Sequence, residues 1–263
     1  VHKGVVGRVT RARRLVLLGR NRASRSSHPV LRARRVYARS LATHGTAHDG
    51  EGDRALIYAV EWPVLACSRR RRPAVHVVRA RWGETVLEHM LFKGTDRFPK
   101  GVSDKAIAGC GGVRNGMTWL DYTAYYETVP SEHLGLAVAI EADRMANARF
   151  LGEEVASERG VVISEREGSE NQPGYALYEE VTSAAYRLHS YGRPVVGFKH
   201  DLQTMTRDDL HDFYRRHYVP GNAVAVAIGD FNSDDVLKLV DQEFGKIPAG
   251  TARPYVPPSE LAQ

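Results

Sequence analysis

The legible patterning of hydrophobic and polar positions begins near residue 84. In ETVLEHMLFKGT, Glu84 to Thr95, apolar residues at Val86, Leu87, Met90 and Leu91 have the spacing of one helical face, and Gly94 reads as a stop. SDKAIAGCGG predicts a short helix with Ser103 as N-cap and Gly109 at its end. NGMTWLDYTAYYETVP is rich in Thr, Tyr and Trp with partial alternation, which predicts strands ended by Pro130. SEHLGLAVAIEADRMAN, with Ser131 as cap, stacks Leu134, Val138, Glu141 and Met145 at near-helical intervals. GEEVASERGVVISEREGSE is helical again, and TRDDLHDFYRRHY is a capped amphipathic helix. Pro220–Gly221 then turns the chain into the apolar strand run NAVAVAIGDF, and SDDVLKLVDQEFG is a last capped helix. Strands mixed with helices of this length predict an α/β or α+β domain over about 84–250. The text before it, 1–83, is an atypical basic segment, and 251–263 reads as a linker. No strand or helix is assigned to RRRRPAVHVVRARW, Arg69 to Trp82, and no internal repeat is visible.

Charge sharpens that division. The chain carries a net charge of +6, but residues 1–83 hold +15 and residues 84–263 hold −9. No acidic residue precedes Asp49, and the Arg- and Ser-rich text up to RRVYARS has the composition of a mitochondrial transit peptide, with an arginine two residues before an aromatic as at a cleavage site. A solvated tail is the plainer reading of such an arm; nucleic acid binding ranks last, because no recognisable motif or interleaved aromatics accompany the arginines. Two cysteines, Cys67 and Cys110, imply neither a disulfide framework nor a thiolate zinc site. No apolar run approaches the roughly 20 residues of a membrane span. At 263 residues the chain is long enough to bury a sizeable core.

The candidate chemistry lies in the acidic body. Glu88 and His89 are adjacent on the first predicted helix. Alone, such a pair is usually a solvated face. Glu158 and Glu165 change the weighing: seven residues turn a helix by about 700°, so both carboxylates leave one face. Like charges there repel unless a cation lies opposite, and a zinc ion shared with the His89 helix would supply it. The plain alternative is an exposed acidic face, since Glu153, Glu154 and Glu167 share the segment.

GGVRNGMTWLDYTAYYETVP, Gly111 to Pro130, resembles the Gly-Gly-x-x-Asn-Ala-x-Thr…Asp-x-Thr-x-Tyr-Tyr signature of the insulinase/pitrilysin family of inverzincin metallopeptidases. LEHMLFKGT resembles the text around that family's zinc helix, SERGVVISERE the helix bearing its third ligand, and YVPGNAVAVAIGDF its late strand. The resemblance runs in order from about Gly83 to Pro248. It implies a pitrilysin-like half-domain, an α/β sandwich of the α+β class with a mixed, mainly antiparallel sheet packed against helices. It implies zinc as cofactor, with His89 and Glu165 as ligands, Glu88 as the general base and Glu158 as a carboxylate supporting that face. Gly111, Gly112 and Asn115 would lie beside a peptide or unfolded-protein substrate, gripped as an added strand. A second half-domain, or a partner subunit, would complete the chamber.

One position departs from the pattern. H-x-x-E-H requires an imidazole at 85, where this chain has Thr85. A neutral hydroxyl is a poor zinc ligand, and catalytic zinc sites use three protein ligands. The expectation is therefore a weakened zinc site and an impaired or inactive chain. Glu84 points about 100° away from position 85 on a regular helix. GET running straight into VLEH can also be read as a missing Gly-x-x-His, as a reading-frame error would leave, and the text upstream offers none of the strands that the family places before its zinc helix. The leading reading is a zinc metalloendopeptidase half; its rival is a non-catalytic, peptide-binding or structural partner of the same family. The compartment stays open, with a bacterial cytoplasm or periplasm ahead of a mitochondrial matrix.

Overall fold

The computed structural model describes residues 83–229 and 231–250, together with the strand backbones of residues 5–7, 14–19 and 54–61. Six strands form a single sheet in the order β1-β2-β6-β3-β5-β4: Val5–Gly7 (β1), Arg14–Gly19 (β2), Arg54–Glu61 (β3), Val113–Thr118 (β4), Thr123–Pro130 (β5) and Ala223–Gly229 (β6). Only β2 and β6 run parallel; every other pairing is antiparallel. The mixed, mainly antiparallel sheet is the one expected. The expectation of no strand before the first helix is corrected: β3 lies between β5 and β6, with Ala59 opposite both Tyr125 and Ala225. The Arg69–Trp82 stretch and the 251–263 linker lie outside the described residues, as does most of the basic arm.

Eight helices follow among the described residues: Glu84–Met90 (α1), Val102–Gly109 (α2), Leu134–Asn147 (α3), Gly152–Glu170 (α4), Pro173–Ala185 (α5), Lys199–Thr204 (α6), Arg207–His217 (α7) and Ser233–Phe244 (α8). None is long and apolar enough to cross a membrane. Two expected caps differ. α2 is preceded by Gly101 at φ 76°, with Ser103 buried inside its first turn, and Ser131 opens a short 3-10 turn rather than α3. Helices α5 and α6 were not anticipated.

The apolar residues gather in two clusters. One joins α3 and α8 to the sheet through Val138, Ile140, Val236, Val240, Val129 and Ala227. The other joins α1, α4, α6 and α7 through Leu87, Met90, Val162, Leu202, Leu210 and Tyr214. The two-residue period of β5 puts Tyr125, Glu127 and Val129 on one buried face. Tyr125 belongs to the second cluster and Val129 to the first, so Glu127 sits between two apolar cores. Cys110 packs against the first cluster and donates to the Ile107 carbonyl, and His217 stacks on Phe213, which packs against the second.

Candidate active site

Helix α1 starts from a glycine for a steric reason. Gly83 has φ 87°, and a Cβ there would stand 2.5 Å from Met205 Cε. The helix buries Val86, Leu87 and Met90, which leaves Thr85, Glu88 and His89 facing away from the core. His89 turns toward α4. Its Nδ1 lies 3.0 Å from Glu158 Oε2 and its Nε2 3.8 Å from Glu165 Oε1. The seven-residue spacing of α4 thus brings both carboxylates against the two nitrogens of one ring. Glu158 is buried and Glu165 half-exposed.

Glu88 turns the other way, to β4. Thr118 Oγ1 donates to Glu88 Oε2 at 2.5 Å. Gly116 makes room for the carboxylate: a Cβ at that position would stand 2.9 Å from Glu88 Oε1 and 3.0 Å from the Phe92 ring. Burial pushes the Glu88 carboxyl above its ordinary range, and the Thr118 hydrogen bond and the His89 ring oppose that only partly. Glu158 goes the opposite way. Burial alone would raise it, but the Lys93 ammonium and the His89 ring more than offset this and hold it below the ordinary carboxylate range. Lys93 Nζ is 2.5 Å from Glu158 Oε1 and 3.8 Å from Glu154 Oε2.

Thr85 occupies the turn before His89, and its hydroxyl donates to the Val195 carbonyl at 3.2 Å. The segment carrying Val195 is held at its other end by Tyr191, whose hydroxyl lies 2.7 Å from both oxygens of Asp121 in the β4–β5 turn. Gly111 and Gly112 lie at the junction of α2 and β4, and their N–H groups donate to Ala108 and Ile107. A Cβ on Gly112 would stand 2.9 Å from the Thr128 carbonyl oxygen, so this residue is fixed by close backbone approach. Asn115 lies on β4, the edge strand, and its side-chain oxygen accepts from the Gly116 N–H. The contacts of Lys93, Thr118 and Gly116 were not foreseen from the sequence.

The family model described as Insulinase (Peptidase family M16) matches residues 85–199, and that of the Peptidase M16 inactive domain matches residues 204–263. The chain belongs to the insulinase family. An uncharacterized zinc protease of Mycobacterium leprae is 36% identical over 159 residues, 60% of this chain and 36% of that protein. The zinc protease PqqE of Helicobacter pylori is 33% identical over 160 residues, 60% of this chain and 36% of that protein. The chain therefore spans little more than a third of the length of these curated relatives. The structure of the first half of the periplasmic protease PqqL from Escherichia coli superposes with a TM-score of 0.70 at 20% identity, covering 99% of this chain and 50% of that one. At that identity the likeness establishes the fold, a pitrilysin-like half.

The relatives named above are zinc proteases by name, and the donors present here match that metal only in part. Two donors of a tetrahedral zinc, each about 2.0–2.2 Å from the metal, stand about 3.4 Å apart. His89 Nε2 and Glu165 Oε1, at 3.8 Å, need little movement to meet such an ion. Glu158 on Nδ1 leaves Nε2 as the free ring nitrogen, the arrangement usual for a metal-bound imidazole. The third donor is missing: among the described residues no group of three His, Cys, Asp or Glu side chains could hold a metal. The residues fit two ligands of a site that uses three.

Proposed function

We propose that this chain is the N-terminal domain of a zinc-dependent metalloendopeptidase with one zinc ligand absent, and that its own hydrolytic activity is impaired for that reason. The observation that carries the reading is His89 set between Glu158 and Glu165, with Glu88 beside it on the same helix. His89 and Glu165 would hold the metal. When bound, zinc supplies the Lewis acidity that activates water and polarises a peptide carbonyl. Glu88 would act as the general base, its carboxyl raised by burial and directed by the Thr118 hydroxyl. The edge of β4 that pairs with no other strand among the described residues, and that bears Asn115, would take an extended peptide as an added strand. Gly111 and Gly112 would shape the start of that edge through their backbone, since their N–H groups are already engaged by α2. The greater length of the relatives, and the exposed Leu177, Tyr178 and Val181 on α5, support a second half-domain or partner subunit that closes over this face.

The test is Thr85→His, which writes the full motif onto α1. The expected result is about one zinc per chain after dialysis for the variant, far less for the parent, and peptide hydrolysis gained with the metal. A variant with Gly-x-x-His inserted after Thr85 covers the case in which residues are missing rather than replaced. If neither variant gains zinc or hydrolysis, the enzyme reading fails.

A second reading, a peptide-binding partner without catalysis, draws on one contact: the Thr85 hydroxyl is already engaged by Val195, which closes the turn where an imidazole is needed. It predicts that the parent chain binds extended peptides equally well with and without a chelator.

A further inference from the structure

Lys93 lies four residues beyond His89, in the turn that follows α1, and its side chain is largely buried. Its ammonium does not reach the ring. It meets Glu158 Oε1 at 2.5 Å, while the other oxygen of the same carboxylate, Oε2, meets His89 Nδ1 at 3.0 Å. Glu158 is thus a two-sided bridge, with a fixed cation on one oxygen and an imidazole on the other. A buried carboxylate facing only a neutral N–H would carry an uncompensated charge, and such a group turns toward water when it can. With Lys93 holding Oε1, Oε2 stays turned to Nδ1, and the proton on Nδ1 stays with it. The lone pair of His89 is then on Nε2, the nitrogen that faces Glu165 at 3.8 Å.

We propose that Lys93 is a positioning residue for His89, acting through Glu158 to fix the ring's tautomer and aim. This rests on the reading that His89 and Glu165 share a cation, but it makes a claim about the metal-free chain as well. Glu154 assists from the side, since it lies between Lys93 and Lys100 at 3.8 and 2.6 Å and limits where the Lys93 ammonium can go. Without the Lys93 charge the Glu158 carboxylate is free to rotate, and the ring can carry its proton on either nitrogen.

The experiment uses the full chain labelled with 15N histidine, with the His89 signals assigned from their loss in His89→Gln. The unmodified chain is expected to show a single neutral tautomer protonated at Nδ1 when the ring is neutral. Lys93→Met, which keeps an apolar stem and removes the charge, is expected to give a mixture, and Lys93→Arg to restore the single form. Titration with Zn2+ alone is expected to show about tenfold weaker binding for Lys93→Met, as for other supporting partners of a metal ligand. A thermal melt separates these effects from misfolding. If Lys93→Met keeps the single tautomer and the parent's zinc affinity, the proposal is overturned. A parent spectrum with Nδ1 bare overturns it too, and does so even if the variant fails to fold. If the tautomer responds as stated but no form of the chain takes up zinc, the metal reading fails while the role of Lys93 stands.

Discussion

Glu88 accepts a hydrogen bond from Thr118, which comes from a strand 30 residues away. The carboxylate is half-buried against Gly116 and the Phe92 ring, so no side chain at 116 competes with it and Thr118 supplies the directional contact. A buried polar group that loses its partner costs about 1–3 kcal/mol. Thr118→Val, which keeps the shape and removes the donor, is therefore expected to destabilise the fold by an amount in that range. Thr118→Ser, which keeps the hydroxyl, is expected to behave like the parent. Urea denaturation of the three proteins measures both, and a Thr118→Val midpoint equal to the parent's would show that the contact holds nothing.

At the scale of elements, local signals decided what could be read. TRDDL was legible as a helix start, and α7 carries the full capping box, with Thr206 and Asp209 each satisfying the other's backbone N–H. Thr206→Ala is expected to cost about 1 kcal/mol, seen as a lowered thermal midpoint, with Thr206→Ser close to the parent. The apolar run of β6 was legible for a different reason: it lies between two other strands, β2 and β3, and keeps little polar surface. β3 was not, although Ala55–Val60 is an apolar run of the same kind, because it stands inside the basic segment that the charge pattern marks as a tail. Helix α5 buries no side chain, and the sequence offers it no core-facing stripe to find. The candidate site divides the same way. The seven-residue spacing of Glu158 and Glu165 was readable from helix geometry alone, but the meeting with His89 depends on how α1 packs against α4, which the need for a shared cation and the resemblance to a known family suggested and no spacing could fix. Lys93 to Glu158 and Thr118 to Glu88 are contacts across 65 and 30 residues, and no spacing rule finds them.

The whole molecule is held across its two apolar cores by a buried charge cluster. Arg144 of α3 meets Glu127 at 2.8 Å, touches Glu141 one turn earlier, and lies over the Phe92 and Tyr125 rings at 5.0 and 4.5 Å. Arg114 approaches the same Phe92 ring from β4 and pairs with Asp104. Two buried carboxylates, Glu127 and Glu141, thus share one buried guanidinium, and Arg114 adds a second positive charge acting on Glu127. Burial raises the Glu127 carboxyl to about 6 against the attraction of Arg144 and Arg114, and the same burial lowers Arg144. The sign follows from linkage: a carboxyl that binds its proton more tightly folded than unfolded adds stability at low pH, and that contribution is lost as pH rises through the folded value. For Glu127 the window runs from about 4.5 to about 6, and the loss across it is about 2 kcal/mol. Carboxylates held low, such as Glu158 and Glu243, change stability the other way, gaining it as pH rises through the acid range below 4.5. The opposing trends are separated by comparing the parent with Glu127→Gln, which cannot ionise. Chemical denaturation between pH 4.5 and 7 is expected to show the parent losing more stability than the variant over this interval, the two starting close together because the Glu127 carboxyl is itself largely neutral at its acid end. Parallel stability–pH curves for the two proteins would mean that Glu127 is ionised throughout the interval, with Arg144 outweighing burial.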